Sequence, residues 1–136
     1  MIYSDFTKKF YLYTDVSDSG LGAVLSQKDD QNRERVIAYS SVSLKPAETR
    51  YSTTEKEALA IVWAVRQFRH YLLGTTFEII TDHNALRWLF TKQTNPTPRI
   101  SRWITTMMEY NFIISYRPGR VNQNADALSR MNSADY

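Results

Sequence analysis

At 136 residues, 43% hydrophobic and 23% charged, the chain has the size and composition of one globular domain, which excludes a disordered or fibrous protein. It contains no cysteine, so disulfides, thiolate metal sites and cysteine nucleophiles are ruled out, and a metal would have to be held by oxygen or by the two histidines. The net charge of +3 is uneven: residues 1 to 82 carry 10 Lys/Arg against 11 Asp/Glu, whereas residues 83 to 136 carry 7 against 3.

In chain order, the apolar run Phe10 to Val16 predicts a strand buried on both faces, followed by turn chemistry at Ser17-Asp18-Ser19-Gly20. A second strand is expected over Leu21 to Gln27, with Gly22 permitting close backbone approach. After a polar loop at Lys28 to Arg33, a third is expected over Arg35 to Ser43. Three such strands in succession make an antiparallel meander. Pro46 then breaks the pattern before the longest helix, Thr54 to Leu73, which is expected to stop at Gly74. On that helix Ile61, Ala64, Val65, Phe68 and Leu72 all fall within about 80° of Glu57, whereas Glu55 lies about 160° away, on the side of Arg66 and Arg69. Glu57 is therefore placed on the apolar face. Ser52 with Glu55 fits an S-x-x-E capping box, and Thr54 with Glu57 fits it equally well, so capping is a structural alternative for both acids.

A fourth strand, Thr76 to Thr81, leads through Asp82 into a short helix, Asn84 to Phe90. Thr91 to Pro98 reads as a connection, Ile100 to Tyr110 as a helix and Phe112 to Tyr116 as a fifth strand. Arg117 to Arg120 is a turn, Val121 to Arg130 a last helix, and residues 131–136 a flexible C-terminal tail. The expected fold class is α/β, a mixed five-stranded sheet made of the meander plus two further strands and flanked by helices, in one domain over residues 1–130. No apolar run approaches the ~20 residues of a membrane span, and Met1 to Asp5 has no basic region followed by an apolar stretch, so a soluble chain without an export signal is expected.

Two of these strands end in the same dipeptide, Thr14-Asp15 and Thr81-Asp82. A carboxylate at a strand tip is poorly placed for packing and well placed for chemistry, because strand ends in α/β sheets open onto ligand crevices. Structural alternatives exist for each: Asp15 beginning the turn, Asp82 capping the following helix, Asp126 complementing a helix dipole. The surplus arginines, Arg87, Lys92, Arg99, Arg102, Arg117, Arg120 and Arg130 with the one lysine, suit phosphate contacts or a plain solvated surface. Trp88 and Trp103 suit stacking on bases or, as aromatics at helical spacing, the core.

The strings Thr14-Asp15-Val16-Ser17-Asp18, Gly20-Leu21-Gly22-Ala23-Val24-Leu25-Ser26-Gln27, Tyr51-Ser52-Thr53-Thr54-Glu55-Lys56-Glu57 with Ala60-Ile61-Val62-Trp63-Ala64, Phe68-Arg69-His70-Tyr71-Leu72, Thr81-Asp82-His83, and Tyr116-Arg117-Pro118-Gly119 with Ala125-Asp126-Ala127-Leu128-Ser129-Arg130 stand in this order along nearly the whole chain. In this they resemble the ribonuclease H family, and more specifically the ribonuclease H domain of gypsy-class LTR retrotransposon reverse transcriptases. The resemblance implies a ribonuclease H-like fold and a metal-dependent endoribonuclease that hydrolyses the RNA strand of RNA–DNA hybrids during reverse transcription. It implies four catalytic and metal-holding acids: Asp15, Glu57, Asp82 and Asp126. Four carboxylates gathered in a cleft need a cation, and all-oxygen ligation favours Mg²⁺, with Mn²⁺ able to substitute. In a two-metal arrangement the ions sit ~3.5–4 Å apart, with Asp15 expected to bridge them. The implied products are a 5′-phosphate and a 3′-hydroxyl.

Ser17, Ser19, Gly20, Gly22 and Asn84 are the candidates for sugar and phosphate contacts, and the 2′-hydroxyl is the group that separates RNA from DNA. The implied partners are the hybrid and the polymerase and connecting parts of a parent reverse transcriptase, with no membrane. The implied location is cytoplasmic, within virus-like particles. Many relatives carry a histidine in the loop before the last acid. Arg117 to Asn124 has none, as is usual in gypsy-class elements, which implies a slower or differently assisted enzyme. His83 suits a substrate contact or a surface or capping role, and His70 a dipole-complementing one. Two other readings are a catalytically weak or inactive ribonuclease H-like module that binds nucleic acid, and a transposase or integrase core of the same superfamily. The Ala-Asp-Ala-Leu-Ser-Arg ending points away from the latter.

Overall fold

The computed structural model describes residues 7–90 and 96–118. The expected last helix over 121–130, the tail at 131–136, Asp126, and most of the 91–98 connection lie outside the described residues. Five strands, β1 (Phe10–Val16), β2 (Gly20–Lys28), β3 (Glu34–Ser43), β4 (Thr76–Thr81) and β5 (Asn111–Tyr116), form one sheet in the order β3-β2-β1-β4-β5. β1–β2 and β2–β3 pair antiparallel, giving the expected meander, while β4 runs parallel to both β1 and β5. The sheet is mixed, as expected.

Strand alternation gives the sheet two different faces. Phe10, Leu12, Ala23, Leu25, Phe77 and Ile79 point to one side and pack in the main core against α1 (Thr53–Gln67), whose Ala58, Ile61, Val62 and Val65 are buried. Helix α4 (Pro98–Met107) adds Ile100, Trp103 and Met107 to the same core, so Trp103 takes the packing role and not the stacking one. Tyr13, Val24 and Ile80 form a separate cluster on the opposite side. There Glu78 is fixed by Lys9 at 2.8 Å and Arg117 at 3.3 Å, and Glu34 accepts hydrogen bonds from Ser26 at 3.0 Å and from Tyr13.

The long helix begins at a Ser52 N-cap. Ser52 Oγ accepts from the Glu55 amide at 3.2 Å, and the Ser52 amide donates to Glu55 Oε1 at 3.1 Å. Of the two possible capping boxes this is the one that forms, and Glu55 is further held by Arg99 at 2.8 Å. Ser52→Ala is expected to lower unfolding stability by about 1 kcal/mol in urea titration, with no change in the chemistry described below.

The helix does not run to Leu73. It breaks at Phe68 and resumes as the short α2 (Arg69–Leu72). Tyr110 explains the break: its hydroxyl donates to the Val65 carbonyl at 3.2 Å, the oxygen that the Arg69 amide would take in a continuous helix. Arg69 turns its guanidinium to Tyr110 Oη at 3.3 Å and Glu109 at 3.1 Å. Gly74 follows with φ +84°, the left-handed conformation expected of a terminating glycine. The fourth helix starts earlier than predicted because Thr97 caps it, accepting from the Ile100 amide at 3.2 Å, and Pro98 fills the first helical position. The short helix after β4 is α3 (Leu86–Leu89), narrower than the predicted 84–90.

Candidate active site

The repeated Thr-Asp dipeptide is explained by register. β1 and β4 are adjacent and parallel with Tyr13 opposite Ile80, so continuing two residues along both strands brings Asp15 level with Asp82 at the same sheet end. This is the carboxyl end of the parallel pair, where α/β sheets place their ligand crevices. Glu57, on the second turn of α1, comes to the same place. Its carboxyl is pushed up to about 7 from its usual 4.5, first by burial and then by the charges of Asp82 and Asp15. Sites built from three segments far apart in sequence rarely arise without function, since each acid costs the others stability.

The turn after β1 is closed by Ser17, whose Oγ accepts from the Gly20 amide at 3.0 Å and the Ser19 amide at 3.3 Å, while Asp15 Oδ1 accepts from the neighbouring Val16 amide at 3.0 Å. Helix α3 has Ala85 at its N-cap with no side-chain capping bond, so Asp82 does not cap it. The capping of α1 belongs to Ser52 and Glu55, not Glu57. Elsewhere the acids with structural roles are paired: Asp29 with Arg33 and Arg35, Glu78 with Lys9 and Arg117, Glu55 with Arg99. Glu57 has no cationic partner among the described residues.

The donor set of Asp15, Glu57 and Asp82 fits a hard divalent cation: it is all oxygen, and burial together with the charges of Asp82 and Asp15 pushes the Glu57 carboxyl toward protonation, which a cation would reverse. Among the described residues no three His, Asp or Glu side chains stand in ligating geometry. Asp126, the fourth acid, lies outside the described residues.

A groove of about 530 Å³ opens beside Asp15. It is lined by Ser17, Ser19, Gly20 and Gly22, four of the five residues expected to meet substrate, together with Tyr39, Ser41 and Ser43 from β3. Asn84 is exposed and does not line it. The β3 hydroxyls were not identifiable in the sequence because only the register, Gly22 opposite Ser41 and Gly20 opposite Ser43, brings them there. Gly22 faces Asp15 across the ladder, and a Cβ added to it would meet nothing within 4 Å. Its smallness therefore leaves room beside the carboxylate instead of serving close backbone approach. Gly20 is the tight one, with the Val42 carbonyl 3.0 Å from where a Cβ would stand.

Of the surplus arginines, Arg99 and Arg117 are engaged with Glu55 and Glu78, and the Arg87 guanidinium lies 4.6 Å over the exposed Trp88 ring. His70 stacks against Tyr71 with ring centroids 4.2 Å apart. His83 Nε2 lies 2.8 Å from Thr54 Oγ1, a bond that no sequence pattern announces.

The chain matches the model of the RNase H-like domain found in reverse transcriptase over residues 5–110. It is 49% identical over 127 residues to the retrovirus-related Pol polyprotein from transposon 297 of Drosophila melanogaster, covering 93% of this chain and 11% of that one. It is 44% identical over 130 residues to the transposon Tf2-3 polyprotein of Schizosaccharomyces pombe, again covering 93% of this chain and 10% of the other, so it spans about a tenth of these relatives. Among solved structures it is similar to the foamy viral protease-reverse transcriptase bound to double-stranded DNA, at TM-score 0.67 and 14% identity over 86% of this chain and 22% of that one. A second similar structure is the LC11 RNase H1 isolated from compost, at TM-score 0.61 and 17% identity over 95% and 99%. These last two show a shared ribonuclease H fold. The family match, spanning the strands and helices that place Asp15, Glu57 and Asp82, shows that the chain belongs to the RNase H-like domains of reverse transcriptases.

Proposed function

We propose that this domain is a divalent-cation-dependent endonuclease that hydrolyses the RNA strand of an RNA–DNA hybrid within a retrotransposon reverse transcriptase. The observation that carries the reading is the convergence of Asp15, Glu57 and Asp82, with Glu57 driven toward protonation by burial first and then by the charges of the other two. Asp15, Glu57 and Asp82, with Asp126 as the fourth acid, would hold Mg²⁺ or Mn²⁺. A bound ion of this kind supplies Lewis-acid stabilisation of the charge that builds on the phosphate oxygens.

The chain's own residues do the rest. The rigid ends of β1 and β4 fix two carboxylates at one level, and the second turn of α1, just past its capped start, presents the third from the side. The groove next to Asp15 admits a sugar-phosphate strand, with serine and tyrosine hydroxyls suited to ribose hydroxyls. Water oxygen attacks phosphorus and the P–O3′ bond breaks, leaving a 3′-hydroxyl and a 5′-phosphate. Transposon polyproteins matched at a tenth of their length support a polymerase as the covalent neighbour and the element's particle as the place of action. Among the described residues no helix is long and apolar enough to cross a membrane.

The test is cleavage of a labelled hybrid, with matched single-stranded RNA and duplex DNA as controls, in Mg²⁺, in Mn²⁺ and in chelator. Cation-dependent cutting of the hybrid's RNA strand alone is expected. Hybrid binding without cutting in either ion would favour the inactive-module reading. Gly22→Ala sharpens the test: nothing obstructs the methyl in the free protein, so the melting temperature is expected to hold or rise slightly, while the hybrid's KM rises roughly tenfold.

A further inference from the structure

Three carboxylates that repel one another must be held in place by something other than their own interaction. Glu57 rides on α1 and Asp82 ends β4, and a bond joins these elements close to both acids. Thr54 Oγ1 lies 2.8 Å from His83 Nε2. Thr54 is three residues before Glu57, so both lie on one side of the helix, and His83 directly follows Asp82. The His83 backbone is itself fixed: its amide donates to Thr81 Oγ1 at 3.0 Å on a buried residue, and its carbonyl accepts from the Leu86 amide at 3.1 Å. Neither side chain is needed for capping, since Ser52 and Glu55 complete the α1 cap and Ala85 stands at the N-cap of α3. The hydroxyl–imidazole bond therefore fastens the Glu57 side of α1 to the segment that carries Asp82.

We propose that Thr54 and His83 form a positioning clamp that sets the spacing of Glu57 and Asp82, and through it the cation affinity of the site. Its effect on turnover rests on the nuclease reading, whereas its effect on cation binding does not. Thr54 and His83 act through the acids and touch no reacting atom. Losing one hydrogen bond at such a junction corresponds to a several-fold to about tenfold change in an equilibrium constant.

The experiment measures Mg²⁺ binding calorimetrically on the hybrid-free protein, melting temperature in chelator, and hybrid cleavage against Mg²⁺ concentration. The proteins are wild type, Thr54→Val, Thr54→Ser and His83→Leu. Thr54→Val and His83→Leu are expected to weaken Mg²⁺ binding about tenfold and to raise the Mg²⁺ needed for half-maximal cleavage to match. At saturating Mg²⁺ the cleavage rate should recover to within about twofold of wild type. Thr54→Ser, which keeps the hydroxyl, should bind Mg²⁺ as wild type does. Unchanged affinity in Thr54→Val would overturn the clamp, as would an equal loss in Thr54→Ser or a loss that tracks a fall in melting temperature. A wild type that binds Mg²⁺ but cuts no hybrid would defeat the nuclease reading alone, and the affinity comparison would still decide the clamp.

Discussion

Asp82→Asn is expected to abolish hybrid cleavage, lowering the rate by about 10³-fold or more at saturating Mg²⁺, while Glu55→Gln stays within a few-fold of wild type. The magnitude follows from the several kcal/mol of charge stabilisation that an ion at phosphate oxygens supplies, at about 1.4 kcal/mol per tenfold in rate. Asn keeps the volume and one oxygen of Asp82 but removes the charge that holds the ion. Because Asp82 is exposed at a strand end and does not cap α3, the melting temperature in chelator is expected to change far less than the cleavage rate. Glu55 is the control on the same helix. Its carboxyl is held below the usual range, chiefly by the Ser52 amide and also by Arg99, so its role is at the helix start. Single-turnover cleavage of a labelled hybrid by the two variants distinguishes them, and equal loss in both would refute the assignment of Glu57 over Glu55.

The second large effect concerns Glu57 itself. Its carboxyl ionises near 4.5 in an unfolded chain and is pushed up to about 7 in the fold, by burial first and by Asp82 and Asp15 next. Between those values the native state binds the extra proton, so stability falls as pH rises through that window. The contribution is complete below about pH 4.5 and lost above about pH 7. Its upper limit is about 3 kcal/mol, and partial solvent access to the side chain reduces that to about 2 kcal/mol. Metal-free Glu57→Gln should therefore be the more stable protein at pH 8 by roughly that amount, with the advantage gone at pH 4.5. Urea unfolding of both proteins in chelator at the two pH values measures the difference. Taking it between variants cancels the acids whose carboxyls are held low, such as Asp29 and Glu78. Added Mg²⁺ at pH 8 should reverse the order, because a cation that binds only the folded wild type stabilises it.

The strands were legible because each is an apolar run bounded by turn residues, and the separation of Glu57 from Glu55 was legible because helical geometry alone puts them on different sides. The kink at Phe68 was not, since the apolar periodicity runs unbroken through Leu72 and the interrupting hydroxyl comes from Tyr110, more than forty residues away. The Thr-Asp echo was visible in the sequence, but not its reason, which is the parallel register of β1 on β4. Strand pairing likewise hid Tyr39, Ser41 and Ser43, which reach the groove only because β3 lies across from Gly22 and Gly20. Trp88 misled in the other direction: helical spacing suggested core, yet α3 has only four residues and leaves the ring outside.

The parallel union of β1 with β4 also bears on how the protein comes into being. The hairpins β1–β2 and β2–β3 close short loops and can zip early, whereas β4 must return across a long crossover before it meets β1, a slow, high-contact-order event. Asp15 and Asp82 become neighbours only at that late step. A polypeptide still leaving the ribosome, or one truncated before β4, would hold a finished meander without Asp82 beside Asp15, so the site proposed for hydrolysis is assembled only with the completed sheet.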